Sequence, residues 1–386
     1  MDVWVKAGAI AEPEPWAGMA HFLEHMIFKG TEQVPPGHFD QVIENYGGVT
    51  NAATSHDYAH FFINTTADCV PQTLPCLAEL LLNAAIPDEE FGRERDVVLE
   101  EISQAEDDPD WQGFQALTES VYQRHPYGRS VLGDGDRLMQ LVPDDMRRFH
   151  RAHYQPENMT VVVVGDIEQN QILDLVGSAF STFAPPPEFL AVPVEPELPI
   201  VGIRRQQLHL PRLELGRLTM AWVGPGISQI RDAYGLDLLS ILLAGGRSSR
   251  LVRELREERQ LVQDIGSSFS LQRDSSLFTI NAWLEPDYLE QVEALIGDRL
   301  SELSATLIPE AELNRNKRLL CNDYAFSTET SSQLAGLYGY YNTIAQAELS
   351  VIYPDQIRTL QSEELQHLAN QYLSPYHYAV TTMQPL

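Results

Sequence analysis

Five consecutive residues, His21-Phe-Leu-Glu24-His25, place two imidazoles and a carboxylate side by side. On a helix His21 and His25 project from the same face one turn apart, with Glu24 beside them. Two imidazoles at that spacing suit a zinc ion, and a carboxylate next to a bound metal suits proton transfer during hydrolysis. The stretch GMAHFLEHMIF, Gly18 to Phe28, is apolar on every side except at these three positions, the pattern of a helix buried all round. Burying such groups is costly unless they are paired or coordinate a metal, so we read His21 and His25 as ligands rather than satisfied core histidines.

A hydrolytic zinc site takes a third protein ligand and keeps one position open for water. The best source is FGRERDVVLEEISQAE, residues 91–106, whose Phe91, Val98, Ile102 and Ala105 form one stripe on a helical projection. Glu101 and Glu94 fall together on one flank of that stripe and Glu100 nearly opposite. Glu101 therefore reaches toward the core, and Glu100 faces water. Glu94 keeps two readings, a solvated or salt-bridged helix carboxylate, or a group that orients a ligand.

These residues need a scaffold, and 386 residues are too many for one ordinary core. Between Phe183 and Ile200 the sequence FAPPPEFLAVPVEPELPI carries six prolines and no helical or strand period, which reads as a stiff linker. The expected organisation is a metal-bearing domain over 1–183, the linker over 184–200 and a second domain over 201–386. The two halves align with an offset of 218 residues: Gly48 falls on Gly266, and NMTVVVVGDI at 158–167 falls on YHYAVTTMQP at 376–385. Under that offset Leu239, Leu242 and Leu243 stand where His21, Glu24 and His25 stand, and Leu319 where Glu101 stands. The repeat keeps the helix and fills the site with leucine. Helices are predicted around 71–85, 88–106, 110–123, 233–244, 285–304 and 309–345. Strands and helices mixed without regular βαβ spacing predict an α+β fold, two homologous domains each with a mostly antiparallel sheet covered by helices.

Composition narrows the function. With 55 acidic against 26 basic residues the net charge is −29, so nucleic acid is excluded as a partner, since phosphate binding needs basic surface. The acidity serves either solubility or the attraction of basic ligands such as cationic peptides. Cys69, Cys76 and Cys321 do not make a disulfide framework, and a reducing compartment is expected. The spacing of Cys69 and Cys76 lies outside zinc-finger patterns. No apolar run is long enough for a membrane span, and the N-terminus MDVWVKAGAI lacks the features of a signal peptide. A soluble, cytoplasmic protein is expected, unless a leader has been lost.

The sequence resembles the pitrilysin (insulinase) family of zinc peptidases, in the branch of mitochondrial processing peptidase and its bacterial relatives. The resemblance rests on GMAHFLEHMIFKGT at 18–31, GGVTNAATSHDYAHFF at 47–62, ERDVVLEEI at 94–102, HPYGRSVLG at 125–133, YQPENMTVVVVGD at 154–166 and GGRSSRLVRELREER at 245–259. It implies the LuxS/processing-peptidase-like metallopeptidase fold and one zinc per chain held by His21, His25 and Glu101. It implies Glu24 as the general base that activates the metal's water and then protonates the leaving amine. The segment from Gly47 through Asn51 and Ala52 resembles the turn and edge strand on which the family docks an extended peptide; a glycine turn into an internal strand is the plainer alternative. The second domain is expected to complete the substrate chamber without metal.

One position departs from the family pattern. The metal-free domain of relatives carries an Arg and a Tyr seven residues apart that hold substrate and support the transition state. Here Arg256 is followed at that spacing by Gln263. Glutamine can donate to an oxyanion with a different reach. Some bacterial relatives work as unlike pairs, so a homodimer, or a heterodimer with a similar subunit supplying the missing pair, is expected to enclose peptide substrate in a clamshell. The alternative is a non-catalytic scaffold or substrate-binding subunit, although such subunits usually lose ligands that are all present here.

Overall fold

The computed structural model describes residues 1–189, 194–211 and 213–386, and part of the expected linker, 190–193, lies outside the described residues. The chain forms β1 (Asp2–Val5), α1 (Met19–Ile27), α2 (His38–Asn45), β2 (Val49–Thr54), β3 (Ala59–Asn64), α3 (Val70–Asn83), α4 (Asp88–Glu106), α5 (Pro109–Val121), α6 (Gly135–Leu138), α7 (Pro143–His153), β4 (Met159–Val162) and α8 (Gln169–Ala179). It continues with β5 (Ile203–Leu210), β6 (Gly216–Gly224), α9 (Ile230–Ala244), β7 (Asp264–Ser270), β8 (Ser276–Leu284), α10 (Leu289–Ala305), α11 (Glu310–Phe326), α12 (Ser331–Ile344), α13 (Glu348–Thr359), α14 (Ser362–Tyr372) and β9 (Tyr378–Pro385). The fold is α+β.

The chain divides into two compact units, each assembled from three stretches of sequence. The first comprises Met1–Gln104, Arg129–Val194 and Ser327–Ser350; the second Ala105–Gly128, Glu195–Phe326 and Val351–Leu386. The units therefore interleave, in contrast to two successive sequence halves. Helix α5 packs on β5, β6 and β9 of the second unit, and α12 packs on β1 and β4 of the first. The single helical region expected over 309–345 is accordingly two helices with different destinations, separated at 327–330.

In the first unit the strands run in the order β2-β3-β1-β4, every neighbour antiparallel. Alternation sorts β3: Ala59, Phe61 and Ile63 are fully buried, while His60 and Phe62 point to the opposite face. The buried face meets α1, whose Met19, Phe22, Leu23, Met26 and Ile27 are all solvent-free. On the other face Asn342 of α12 donates to Thr160 of β4 at 3.0 Å, and Gly339 lets α12 sit against the Trp4 indole, where a Cβ would collide.

In the second unit the order is β5-β9-β6-β8-β7, antiparallel except for the parallel pair β5–β9. The offset of 218 found in sequence carries β1, β3, β4, α1 and α4 onto β6, β8, β9, α9 and α11. Leu239, Leu242 and Leu243 fill the second core with no exposure. Leu319 does not join them: it is 37% exposed. Among the described residues no single helix is long and apolar enough to cross a membrane.

Candidate metal centre

Helix α1 starts at Gly18, whose φ of +92° is open to glycine and strained for other residues. A side chain there would also fall 2.7 Å from the carbonyl oxygen of Leu132 and 2.9 Å from the Cα of Gly133, in the loop that braces the helix start. The first-turn N–H groups of a helix lack internal partners. Glu12 answers them: its carboxylate accepts from the N–H of Gly18 at 2.9 Å and of Ala20 at 2.7 Å. Burial pushes the Glu12 carboxyl up to about 8 against the pull of those two bonds. Sequence inspection missed this residue, which lies ahead of the helix in a segment with no periodic signal.

The helix so fixed presents His21 and His25 on one face, their ring centroids 4.9 Å apart. Helix α4 brings Glu101 across from them, its Oε2 lying 3.6 Å from Nε2 of His21 and 3.5 Å from Nε2 of His25. The ligand atoms of the three residues all fall within 4.8 Å of one another. These separations exceed a hydrogen bond. They match a shared ion, since ligands about 2.0–2.2 Å from a tetrahedral zinc sit roughly 3.4 Å apart. Two imidazoles and a carboxylate are also a donor set that catalytic zinc takes. Glu101 is 44% exposed on its side chain, so the cluster has an open flank.

The protonation pattern agrees with that fit. Burial first, then the neighbouring His25, lowers His21 to about 4, so its ring is neutral near neutral pH, the form a metal requires. Nδ1 of His25 lies 2.9 Å from Oε1 of Glu94. A carboxylate accepts, so Nδ1 carries the proton and the lone pair is left on Nε2, toward Glu101. Glu94 is 8% exposed, and its second oxygen, Oε2, lies 2.5 Å from Nζ of Lys29. Glu94 is thus buried rather than solvated, and it carries both a salt bridge to Lys29 and the contact with a ligand ring, features of both readings left open in sequence. Nδ1 of His21 is buried and has no hydrogen-bond partner among the described residues.

Glu24 extends from the same helix toward the sheet, where Oγ1 of Thr54 donates to its Oε2 at 2.5 Å. Burial raises its carboxyl, and the Thr54 hydrogen bond pulls it back. Tyr154 lies near enough for Glu24 to add to the upward shift that burial imposes on the phenol. Neither Lys29 nor Thr54 was singled out from sequence. Lys29 stands four residues beyond His25, and Thr54 shares a strand face with Thr50 and Ala52, so period arguments contain both.

Asn51 and Ala52 lie on β2, an edge strand, as the resemblance implied. On β3 Ile63 bonds to Met1 on the β1 side, so Phe62 and its alternates serve β2. Their partners Val49, Asn51 and Ala53 turn inward, which directs the backbone groups of Thr50, Ala52 and Thr54 to the outer edge. The N–H of Ala52 donates to the side-chain oxygen of its neighbour Asn51 at 2.9 Å. Arg256 and Gln263 belong to the second unit. Arg256, in a π-helical turn over Val252–Glu258, bonds Glu257 and Asp264, each at 3.0 Å; Gln263 is exposed and its N–H donates to Trp283.

Fold and site define a metallopeptidase-like α+β protein with a histidine–glutamate cluster on α1 and α4. Two family models match: the insulinase family, described as peptidase family M16, over residues 1–135, and the peptidase M16 inactive domain over 140–320. The chain belongs to the insulinase (peptidase M16) family and is a zinc protease of that family. The inactive-domain description agrees with the leucines that replace the cluster in the repeat. The zinc protease PqqE of Helicobacter pylori is 29% identical over 393 residues, covering 100% of this chain and 87% of that protein. An uncharacterized zinc protease of Streptomyces coelicolor is 26% identical, covering 94% and 82%. The crystal structure of a protease from Helicobacter pylori superposes with a TM-score of 0.93 at 29% identity, covering 100% of this chain and 93% of that one. Pitrilysin, at 19% identity and a TM-score of 0.80, shares the fold over 99% of this chain and 42% of its own.

Proposed function

We propose that the chain is a zinc endopeptidase of the inverted His-x-x-Glu-His type that cleaves extended peptides, basic ones in particular. The observation that carries this is the convergence of His21 Nε2, His25 Nε2 and Glu101 Oε2 within 4.8 Å, with Glu24 on the same helix. His21, His25 and Glu101 would hold one zinc per chain. The ion supplies Lewis acidity, polarising a scissile carbonyl and acidifying water. Glu24 takes up and returns a proton at Oε1, since Oε2 is engaged by Thr54. Glu94 holds the His25 ring in one tautomer and one orientation. The outer edge of β2 takes the peptide as an added strand, and the Asn51 side chain gives up the Ala52 N–H to it.

Charge supports basic substrates: a net −29 favours cationic peptides on encounter. Arg256 and Gln263 would contact substrate from the metal-free unit. With glutamine where relatives carry tyrosine, a partner subunit of similar fold, either a second copy or an unlike chain, completes the clamshell. The test is Glu24→Gln on the full chain, assayed alone and with its candidate partner against a peptide mixture, with zinc measured by atomic absorption. Cleavage lost with zinc retained supports the reading. Cleavage retained refutes it, and full activity of the chain alone refutes the need for a partner.

A further inference from the structure

We infer that Thr54 is a positioning residue that fixes Glu24 to the strand on which substrate docks, making docking edge and base one rigid part. The inference rests on the reading of Glu24 as the base. Three observations carry it. Oγ1 of Thr54 donates to Oε2 of Glu24 at 2.5 Å, joining α1 to the last residue of β2 across thirty positions of sequence. Thr54 pairs with Ala59, whose side chain is fully buried, so the Thr54 side chain shares the sheet face that α1 covers. The register directs its backbone groups to the free outer edge. One residue thus faces an added peptide strand with its main chain and the carboxylate with its side chain.

The chemistry of a hydroxyl suits this task. It donates to an ionised carboxylate and accepts from a protonated one, so the contact survives both states through which a proton-transferring Glu24 passes. Threonine is stiff about χ1, which limits the wander of whatever it holds. With Oε2 tethered, the carboxylate plane is set and Oε1 is the atom left for the reaction. Valine has the shape of threonine without the hydroxyl, so it leaves the strand intact and frees Glu24 to rotate. Misplacing a reacting group by about 1 Å costs on the order of 100-fold in rate.

The experiment compares Thr54→Val, Thr54→Ser and Glu24→Gln with the unmodified zinc-loaded full chain, in the assembly in which that chain cleaves a quenched fluorescent peptide. Thr54→Val is expected to lower kcat about 10- to 100-fold with KM within about twofold and zinc content unchanged. Thr54→Ser restores most of kcat, which a purely structural role of the strand would not require. Should Thr54→Val fail to fold, Thr54→Ala gives the same comparison without a second buried methyl. An unchanged kcat, a rise confined to KM, or loss of zinc in a folded Thr54 variant overturns the inference. A cleaving Glu24→Gln overturns the underlying assignment of the base instead, whereas an inactive Glu24→Gln beside a fully active Thr54→Val overturns only the role of Thr54.

Discussion

Nδ1 of His25 lies 2.9 Å from Oε1 of Glu94, and Oε2 of Glu94 lies 2.5 Å from Nζ of Lys29, so one buried carboxylate bridges two groups one turn apart. Glu94→Ala removes the acceptor that sets the His25 tautomer. It is expected to weaken zinc binding about 10- to 100-fold, the usual cost of losing such an orienting group. Competition with a chromophoric chelator measures this, and an unaltered dissociation constant would assign Glu94 to packing alone.

Zinc that binds only the folded chain stabilises it in proportion to its occupancy. A free concentration about a hundred times the dissociation constant adds about 2.7 kcal/mol. Chelation should therefore lower the melting temperature and zinc should restore it. In His21→Ala neither treatment is expected to move it.

The start of α1 tolerates little change. Gly18→Ala places a methyl at φ +92° and against the Leu132 carbonyl, at a cost of roughly 2–3 kcal/mol. Urea unfolding reads this directly, and a loss under about 0.5 kcal/mol would mean that the 130–133 loop yields without strain.

His150, on α7, has its Nε2 2.7 Å from the carbonyl oxygen of Leu81, and burial lowers its pKa to about 4 from an ordinary 6.5. The unfolded chain then binds more protons between those values. The stabilisation is present in full above about pH 6.5 and is lost as pH falls toward 4, by about 3 kcal/mol. His150→Gln is expected to be less stable at pH 7.5 but to show a shallower decline across that window. Parallel declines in urea titrations at several pH values would exclude this source.

Much of the first unit was legible because its signals are local. The apolar surroundings of His21, Glu24 and His25 announced a buried helix, and the stripe of α4 placed Glu101 inward and Glu100, exposed in the structure, outward. The 218-residue offset anticipated matching strands because each repeat must bury the same sheet face. Glu94 stayed undecided because a flank position serves core and solvent alike, and its partners His25 and Lys29 come from α1 and the turn after it, which its own helix does not record. The exchange of α5 and α12 was not legible at all. An amphipathic helix records that it has a partner, not which sheet that partner belongs to.

That exchange bears on how the chain comes to be folded. The sheet face at β1 and β4 receives α12, made from residues 331–344, long after the strands themselves are synthesised. Because domains complete as units, the first one leaves the ribosome unfinished and waits for nearly the whole chain. Its contacts are far apart in sequence, which slows assembly. A fragment ending in the proline-rich stretch would keep every residue of the histidine–glutamate cluster and still expose the face around Trp4, so such a fragment should aggregate or recruit chaperones.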